Sequence, residues 1–239
     1  MLSLSDAWRV SRVNSNFEVC PTYPRLILVP KPVVDADILK MAKFRQRGRF
    51  PVLSYFHKTT QMVLLRSAQP LTGPNGNKRC KEDERFLNHA LPRNSRRGYV
   101  FDTRTPNAVK ALQAKGGGIE PEAHYPQWKK MYCELERPQA MMESYAKMVE
   151  ACGEYDGTSF YGRVNDSGWM GHVRELLRWS CLVAQCIAHE DACVLVHGTE
   201  GIDTTLQVYV GKRMGVRYCS LKDSRLDVKL YMKKEARGK

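Results

Sequence analysis

No apolar run in this 239-residue chain approaches the roughly 20 residues that a membrane-spanning helix needs; Leu26–Val29 and Cys193–Val196 are among the longest. The opening residues Met1-Leu2-Ser3-Leu4-Ser5-Asp6 carry neither a basic region nor a long apolar stretch, so no secretory leader is expected. None of the eight cysteines (Cys20, Cys80, Cys133, Cys152, Cys181, Cys186, Cys193 and Cys219) forms a C-x-x-C pair. The spacings of Cys181, Cys186 and Cys193 fit no usual zinc pattern, so core packing is expected of them. These features predict reduced, mostly buried thiols in a cytoplasmic protein, with no disulfide framework, no metal and no cofactor. Internal repeats and sustained heptads are also missing. The triplet Gly116-Gly117-Gly118 lacks the spacing and the Lys-Ser/Thr of a nucleotide-binding loop. It reads instead as a helix C-cap with a close backbone approach.

Hydrophobic content of 43% and charged content of 26% are those of an ordinary soluble globular protein, one domain or one and a fraction in size. The net charge of +13 is uneven. Residues 209–239 hold ten Lys and Arg against three Asp and Glu, whereas the preceding 208 residues hold 28 against 22. A solvated, disordered basic tail is expected there, with an anionic membrane or nucleic acid as the alternative that such charge permits.

Periodicity places a strand-and-turn segment over 8–34, with Leu26-Ile27-Leu28-Val29 as a buried strand. A helix over 35–46 follows, capped by Asp35. Arg49–Phe56 and Gln61–Arg66 read as a hairpin turned by His57-Lys58-Thr59-Thr60. Helices are expected at 80–91 and 107–115, and a strand at 99–104. An amphipathic helix over 138–152 should bury Met141, Tyr145, Met148 and Cys152, and residues 153–168 should form a loop. The helix from Trp169 to about Ala188 should bury a wide face of Val173, Leu176, Leu177, Cys181, Ala184 and Ile187. Strands and helices alternate, so the fold class is α/β, a mixed sheet flanked by helices.

Against that background the segment 194–205 stands apart. The apolar strand Val194-Leu195-Val196 runs into His197-Gly198-Thr199-Glu200-Gly201-Ile202-Asp203-Thr204-Thr205, and helix-compatible Leu206-Gln207 follows. Strand, tight loop and helix start form a frame in which backbone N–H groups converge on one anion. Phosphoester hydrolysis in such a loop needs a thiolate at its floor, a guanidinium to fork two phosphate oxygens and a carboxylic acid for the leaving group. The loop contains no Cys and no Arg or Lys; Glu200 and Asp203 are its charged residues. Thr199, Thr204 and Thr205 offer hydroxyls with no assigned base, and an unactivated hydroxyl is a poor nucleophile, even beside His197. Cys193 lies five residues before Gly198, within the strand, and is not expected to reach the loop. The absent guanidinium and two carboxylates also make the loop a weaker anion site.

At these residues the chain resembles the myotubularins, phosphoinositide 3-phosphatases of the Cys-dependent phosphatase class. Active members carry H-C-S-D-G-W-D-R-T in this loop. His197, Gly201, Asp203 and Thr205 match; Gly198 stands at the nucleophile's place and Thr204 at the arginine's, with Thr199, Glu200 and Ile202 at the Ser, Asp and Trp positions. The inactive branch of the family shows the H-G-T-E-G form. Trp8-Arg9-Val10, Cys20-Pro21-Thr22-Tyr23-Pro24, Phe44-Arg45, Arg49-Phe50-Pro51-Val52, Arg66-Ser67-Ala68-Gln69-Pro70-Leu71, Asp102-Thr103-Arg104 and His124-Tyr125-Pro126-Gln127-Trp128 extend the likeness over about residues 7–208.

The resemblance implies a Cys-dependent phosphatase-like fold, incomplete at the C-terminus, and a chain truncated at both ends. A lead-in segment over 1–34 would follow a missing membrane-binding PH-GRAM domain, a partial phosphatase-like domain would span 35–208, and 209–239 would be a tail foreign to the family. It implies a pseudophosphatase with no catalytic residues. Its partners would be active myotubularin phosphatases, bound as hetero-oligomers, and phosphoinositide membranes, at the periphery of cytoplasmic endomembranes; no nucleic acid is expected. The alternatives are an active phosphatase, a non-functional product and a binder of anions through the basic tail.

Overall fold

The computed structural model describes residues 6–95, 97–153 and 159–218. Strands β1 (Trp8–Ser11) and β2 (Ile27–Pro30) pair antiparallel as a ribbon, with Trp8 opposite Pro30. The main sheet contains β3 (Val52–Phe56), β4 (Val63–Ala68), β5 (Arg97–Asp102), β6 (Trp128–Tyr132) and β7 (Ala192–Gly198) in the order β3-β4-β7-β5-β6. β3 and β4 form the expected antiparallel hairpin; β4, β7, β5 and β6 are parallel neighbours. Central β7 is buried along its whole length, which explains why Ala-Cys-Val-Leu-Val reads as an unbroken apolar run: both faces of a parallel strand are covered.

The helices are α1 (Asp35–Phe44), α2 (Lys81–His89), α3 (Pro106–Gln113), α4 (Pro138–Gly153), α5 (Phe160–Asp166), α6 (Trp169–His189) and α7 (Thr204–Tyr218). α3 starts where the sequence allows: the Thr105 hydroxyl accepts from the Ala108 N–H at 3.3 Å and Pro106 occupies the first helical position. It stops at the triple glycine, where Gly116 has φ +92 and Gly117 and Gly118 leave no room for a Cβ against Gln69 and Thr72. α6 seals one face of the sheet, its Trp179 ring meeting Phe101 edge-on at 6.4 Å.

The structure departs from the sequence reading in several places. Asp35 is the first helical residue, not the cap: Val34 holds the cap position, and the Asp35 carboxylate accepts from Arg9 and Ser11, tying α1 to the ribbon. α4 buries Met141, Ser144 and Ala151, so Tyr145 and Cys152 of the expected stripe lie exposed. The small Ser144 lets α4 approach its neighbours, and its hydroxyl donates to the Ser167 carbonyl at 2.8 Å. Part of the supposed loop over 153–168 is the helix α5. Leu177 is exposed on α6, Cys181 is half-buried, and Cys186 and Cys193 are packed in the core. Strand β6 has no counterpart in the sequence reading. Finally, α7 continues through residue 208 to Tyr218, so the first ten residues of the expected tail are helical; 219–239 lie outside the described residues. Among the described residues no helix is long and apolar enough to cross a membrane.

Candidate functional site

The loop between β7 and α7 sits at the C-terminal end of the central parallel strand, where α/β sheets place their sites. Gly201 fixes its shape. Its φ is +69, and a Cβ there would fall 2.4 Å from the Ser67 backbone oxygen, so a side chain is excluded twice over. Asp203 also adopts a left-handed conformation, φ +58, at the exposed lip. Gly201 O is 3.5 Å from the Arg66 guanidinium, which lies over the Tyr23 ring at 4.8 Å; the Tyr23 hydroxyl in turn donates to Phe50 O at 3.0 Å. Burial raises the pKa of that hydroxyl. Arg49 Nη1 donates to Glu200 O at 2.9 Å, and its Nε donates to Thr22 Oγ1 at 2.9 Å. The lead-in segment and the turn before β3 thus brace the loop from outside.

All nine loop residues singled out in the sequence converge here, in two tiers. Thr199, Glu200, Ile202, Asp203 and Thr204 line a cleft of about 790 Å³, together with residues from α3, Thr103, Arg104 and the segment Leu135–Gln139. His197, Gly198, Gly201 and Thr205 form the buried or close-packed layer beneath it. The Glu200 carboxylate is held by Arg47 at 3.2 Å and Arg49 at 3.5 Å.

Gly198 is the most telling position. A Cβ added there would come within 2.7 Å of Thr103 Oγ1, 3.3 Å of Thr205 Oγ1 and 3.5 Å of Thr204 Oγ1. Thr103 and Thr204 share a hydrogen bond of 2.8 Å. Three threonine hydroxyls therefore crowd the point from which a nucleophilic side chain would emerge. Cys193 is no substitute: it is fully buried, its thiol lies 3.7 Å from Met62 Sδ and 3.8 Å from Ala90 O, and burial pushes its pKa up to about 11.

Under the loop lies a buried ionic network that sequence reading missed as such. Arg45, wholly buried, forks onto Asp83 at 2.9 and 2.6 Å and reaches Glu120 at 2.6 Å and Ala68 O at 3.1 Å. Tyr125 donates to Asp83 at 2.9 Å. His197 Nε2 lies 3.0 Å from Glu120 Oε2 and 3.9 Å from Asp102 Oδ2. Arg104 forks onto Asp102 at 2.8 and 2.7 Å and donates to Gly118 O at 2.9 Å. Burial alone would raise the Glu120 pKa; His197 and Arg45 outweigh it and hold the carboxyl well below its usual range. One signal was present in the sequence: Asp83 shares the inner stripe of α2 with Phe86, Leu87 and Ala90, where an unpaired carboxylate would be untenable.

A mixed sheet with an anion-loop frame at the end of its central strand, continued by a helix, defines a domain of the Cys-dependent phosphatase type. The chain belongs to the myotubularin family: the model of the myotubularin-like phosphatase domain matches residues 2–211. It is 50% identical over 208 residues to myotubularin-related protein 9 of Mus musculus, covering 86% of this chain and 38% of that protein. It is 46% identical over 212 residues to myotubularin-related protein 9 of Caenorhabditis elegans, with 86% and 36% covered. Against phosphatidylinositol-3,5-bisphosphate 3-phosphatase MTMR6 of Homo sapiens identity is 36% over 205 residues, with 84% and 33% covered. The chain thus spans less than two fifths of the length of these relatives.

Proposed function

We propose that this chain is the phosphatase-like part of a catalytically inactive myotubularin, which binds an active relative and thereby sets the turnover of phosphatidylinositol 3-phosphate and 3,5-bisphosphate at the periphery of cytoplasmic endomembranes. The observation that carries the proposal is Gly198. The loop frame around it is built, with Gly201 turned and α7 in place, yet the floor position has no side chain and is hemmed in by the hydroxyls of Thr103, Thr204 and Thr205. Thr204, at the arginine's place, spends its hydroxyl on Thr103 and has no charge to spread over a phosphoryl group.

The regulatory half of the reading follows from the family's chemistry. A domain that keeps the fold without the nucleophile acts through what it touches, and a relative that hydrolyses phosphatidylinositol 3,5-bisphosphate is the natural object. The test has two arms. Purified chain is assayed for phosphate release from phosphatidylinositol 3,5-bisphosphate, where no release above blank is expected. The chain is then titrated into human MTMR6, with co-elution on size exclusion and a changed rate expected. Release that disappears on Gly201→Ala refutes inactivity; no co-elution and an unchanged rate refute regulation.

A further inference from the structure

A second cavity, of about 900 Å³, opens at the other end of the sheet, lined by the start of β5, the start of β6 and the turn after α2. β5 connects the two ends: Arg97 lines this cavity, while Asp102 anchors Arg104 beside the loop cleft. Five residues of strand separate them, about 17 Å.

The two cavities differ in charge. In the loop cleft the Arg104 guanidinium is consumed by Asp102, and Arg137 shares the lining with Glu136 and Asp203 and with Glu200, which Arg47 and Arg49 already hold. The second cavity brings together Arg93, Arg97 and Lys129 against Glu122 alone. None of these three cations forms an ion pair with another described residue, and all three are exposed. Two guanidinium forks and an ammonium around a polar hollow match multiply charged phosphate oxygens better than a single carboxylate, because Arg offers two parallel N–H donors per anion. Asn88 and Gln127 add neutral side chains that can hydrogen-bond to the same oxygens. The wall behind is rigid: the Trp128 ring, itself buried, lies flat against Gly98, where a Cβ would come within 2.3 Å of it.

We infer that this cavity, and not the degenerate loop, is the domain's anion site, and that it takes a ligand carrying two or more phosphate groups through Arg93, Arg97 and Lys129. The inference stands whether or not the chain regulates an active relative.

Sodium tripolyphosphate, titrated calorimetrically into the full 239-residue chain at near-physiological salt, should bind saturably with one site. Arg93→Glu with Arg97→Glu should weaken it at least about tenfold, with an unchanged thermal midpoint. If that pair lowers the midpoint, Lys129→Glu should reproduce the loss alone. Arg137→Glu in the loop cleft and Lys233→Glu with Lys234→Glu in the basic end should leave the affinity unchanged. The indole N–H resonance of Trp128, identified by Trp128→Phe, should shift on binding while that of Trp8 stays put. No saturable binding, an affinity indifferent to Arg93, Arg97 and Lys129, or a loss as large in the Arg137 or Lys233/Lys234 variants overturns the assignment. Flotation with vesicles containing phosphatidylinositol 4,5-bisphosphate, whose headgroup carries more than one phosphate, distinguishes the sources. Flotation lost in the Arg93/Arg97 variant marks a lipid headgroup, and tripolyphosphate binding without flotation marks a free phosphate compound.

Discussion

Restoring the nucleophile's side chain by Gly198→Cys tests how the floor of the loop is packed. The new Cβ meets Thr103 Oγ1 at 2.7 Å, well inside contact distance, and Thr103 is 2% exposed, with little room to retreat. Overpacking of a tight interior costs about 1–3 kcal/mol. Thr103 relieves the clash by rotating, which breaks its 2.8 Å bond to Thr204 and adds about 1 kcal/mol. Thr204→Arg removes the same bond from the other side. Each single substitution therefore counts that bond once, and the double variant also counts it once. Calorimetric unfolding of the wild type, both singles and the double should show the double variant more stable than additivity predicts by about 1 kcal/mol, or about 2–4 °C in midpoint for a domain of this size. Thr103→Ala should make Gly198→Cys nearly neutral, because the obstructing oxygen is gone. Strict additivity within about 0.3 kcal/mol would refute the hydroxyl packing argued for the floor. So would a Gly198→Cys variant as stable as wild type with Thr103 intact.

Three further outcomes follow from the same geometry. Gly201→Ala combines a left-handed φ with a 2.4 Å approach to Ser67 O, so it should destabilise by more than about 2 kcal/mol in chemical denaturation; a smaller loss would mean that the loop relaxes freely. The depressed Glu120 pKa contributes stability that is complete above the unfolded value near 4.5 and is lost as pH falls toward the folded value. Thermal midpoints of the wild type should therefore drop below about pH 4.5, whereas Glu120→Gln, already destabilised at pH 7 because Arg45 loses one of its two carboxylate partners, should show a flatter acid limb; parallel limbs would count against the network. The thiol introduced by Gly198→Cys sits before the N-terminus of α7, so its alkylation by iodoacetamide, followed by site-resolved mass spectrometry, should titrate below about 7.5. A midpoint at or above about 8.5, that of an ordinary thiol, would show that the frame no longer favours an anion.

How much of this could be read from the chain depended on where each element's stability comes from. β7 and its loop were legible because a strand buried on both faces has nothing but apolar residues to show, and the Gly-rich turn after it is local chemistry. The β3–β4 hairpin was legible for the same local reason. α5 was not: Gly162, Asn165 and Asp166 argue against a helix, yet the segment forms one alongside α4 and α6 without burying any of its residues. β6 hid because it is an edge strand whose buried residues, Trp128 and Met131, are three apart and whose middle, Lys129-Lys130, looks like surface. Arg45, Asp83 and Glu120 were invisible as a network, since they lie up to 75 residues apart and charged residues read as solvated until a partner is found. The family likeness had already picked out Phe44-Arg45 and His124-Tyr125, two of the places where that network touches the chain.

The network also explains what holds the loop in its form. In an active phosphatase loop the thiolate and the guanidinium contact the substrate; neither needs to hold the loop up. Here the load falls on other groups. Gly201 rests on the Ser67 backbone, Arg66 and Arg49 grip the loop carbonyls from outside, and His197 is seated on Glu120, which Arg45 fixes against Asp83. A thiol at 198 or a guanidinium at 204 enters none of these contacts, whereas breaking one buried partner of Arg45 costs about 3–5 kcal/mol. The small Gly198 even admits a stabilising substitute, because it leaves the Thr103 hydroxyl free to meet Thr204. Substitutions at Arg45 or Glu120 should therefore lower the unfolding midpoint by several degrees, while Asp203→Asn at the exposed lip should leave it within about 0.5 kcal/mol of wild type in chemical denaturation.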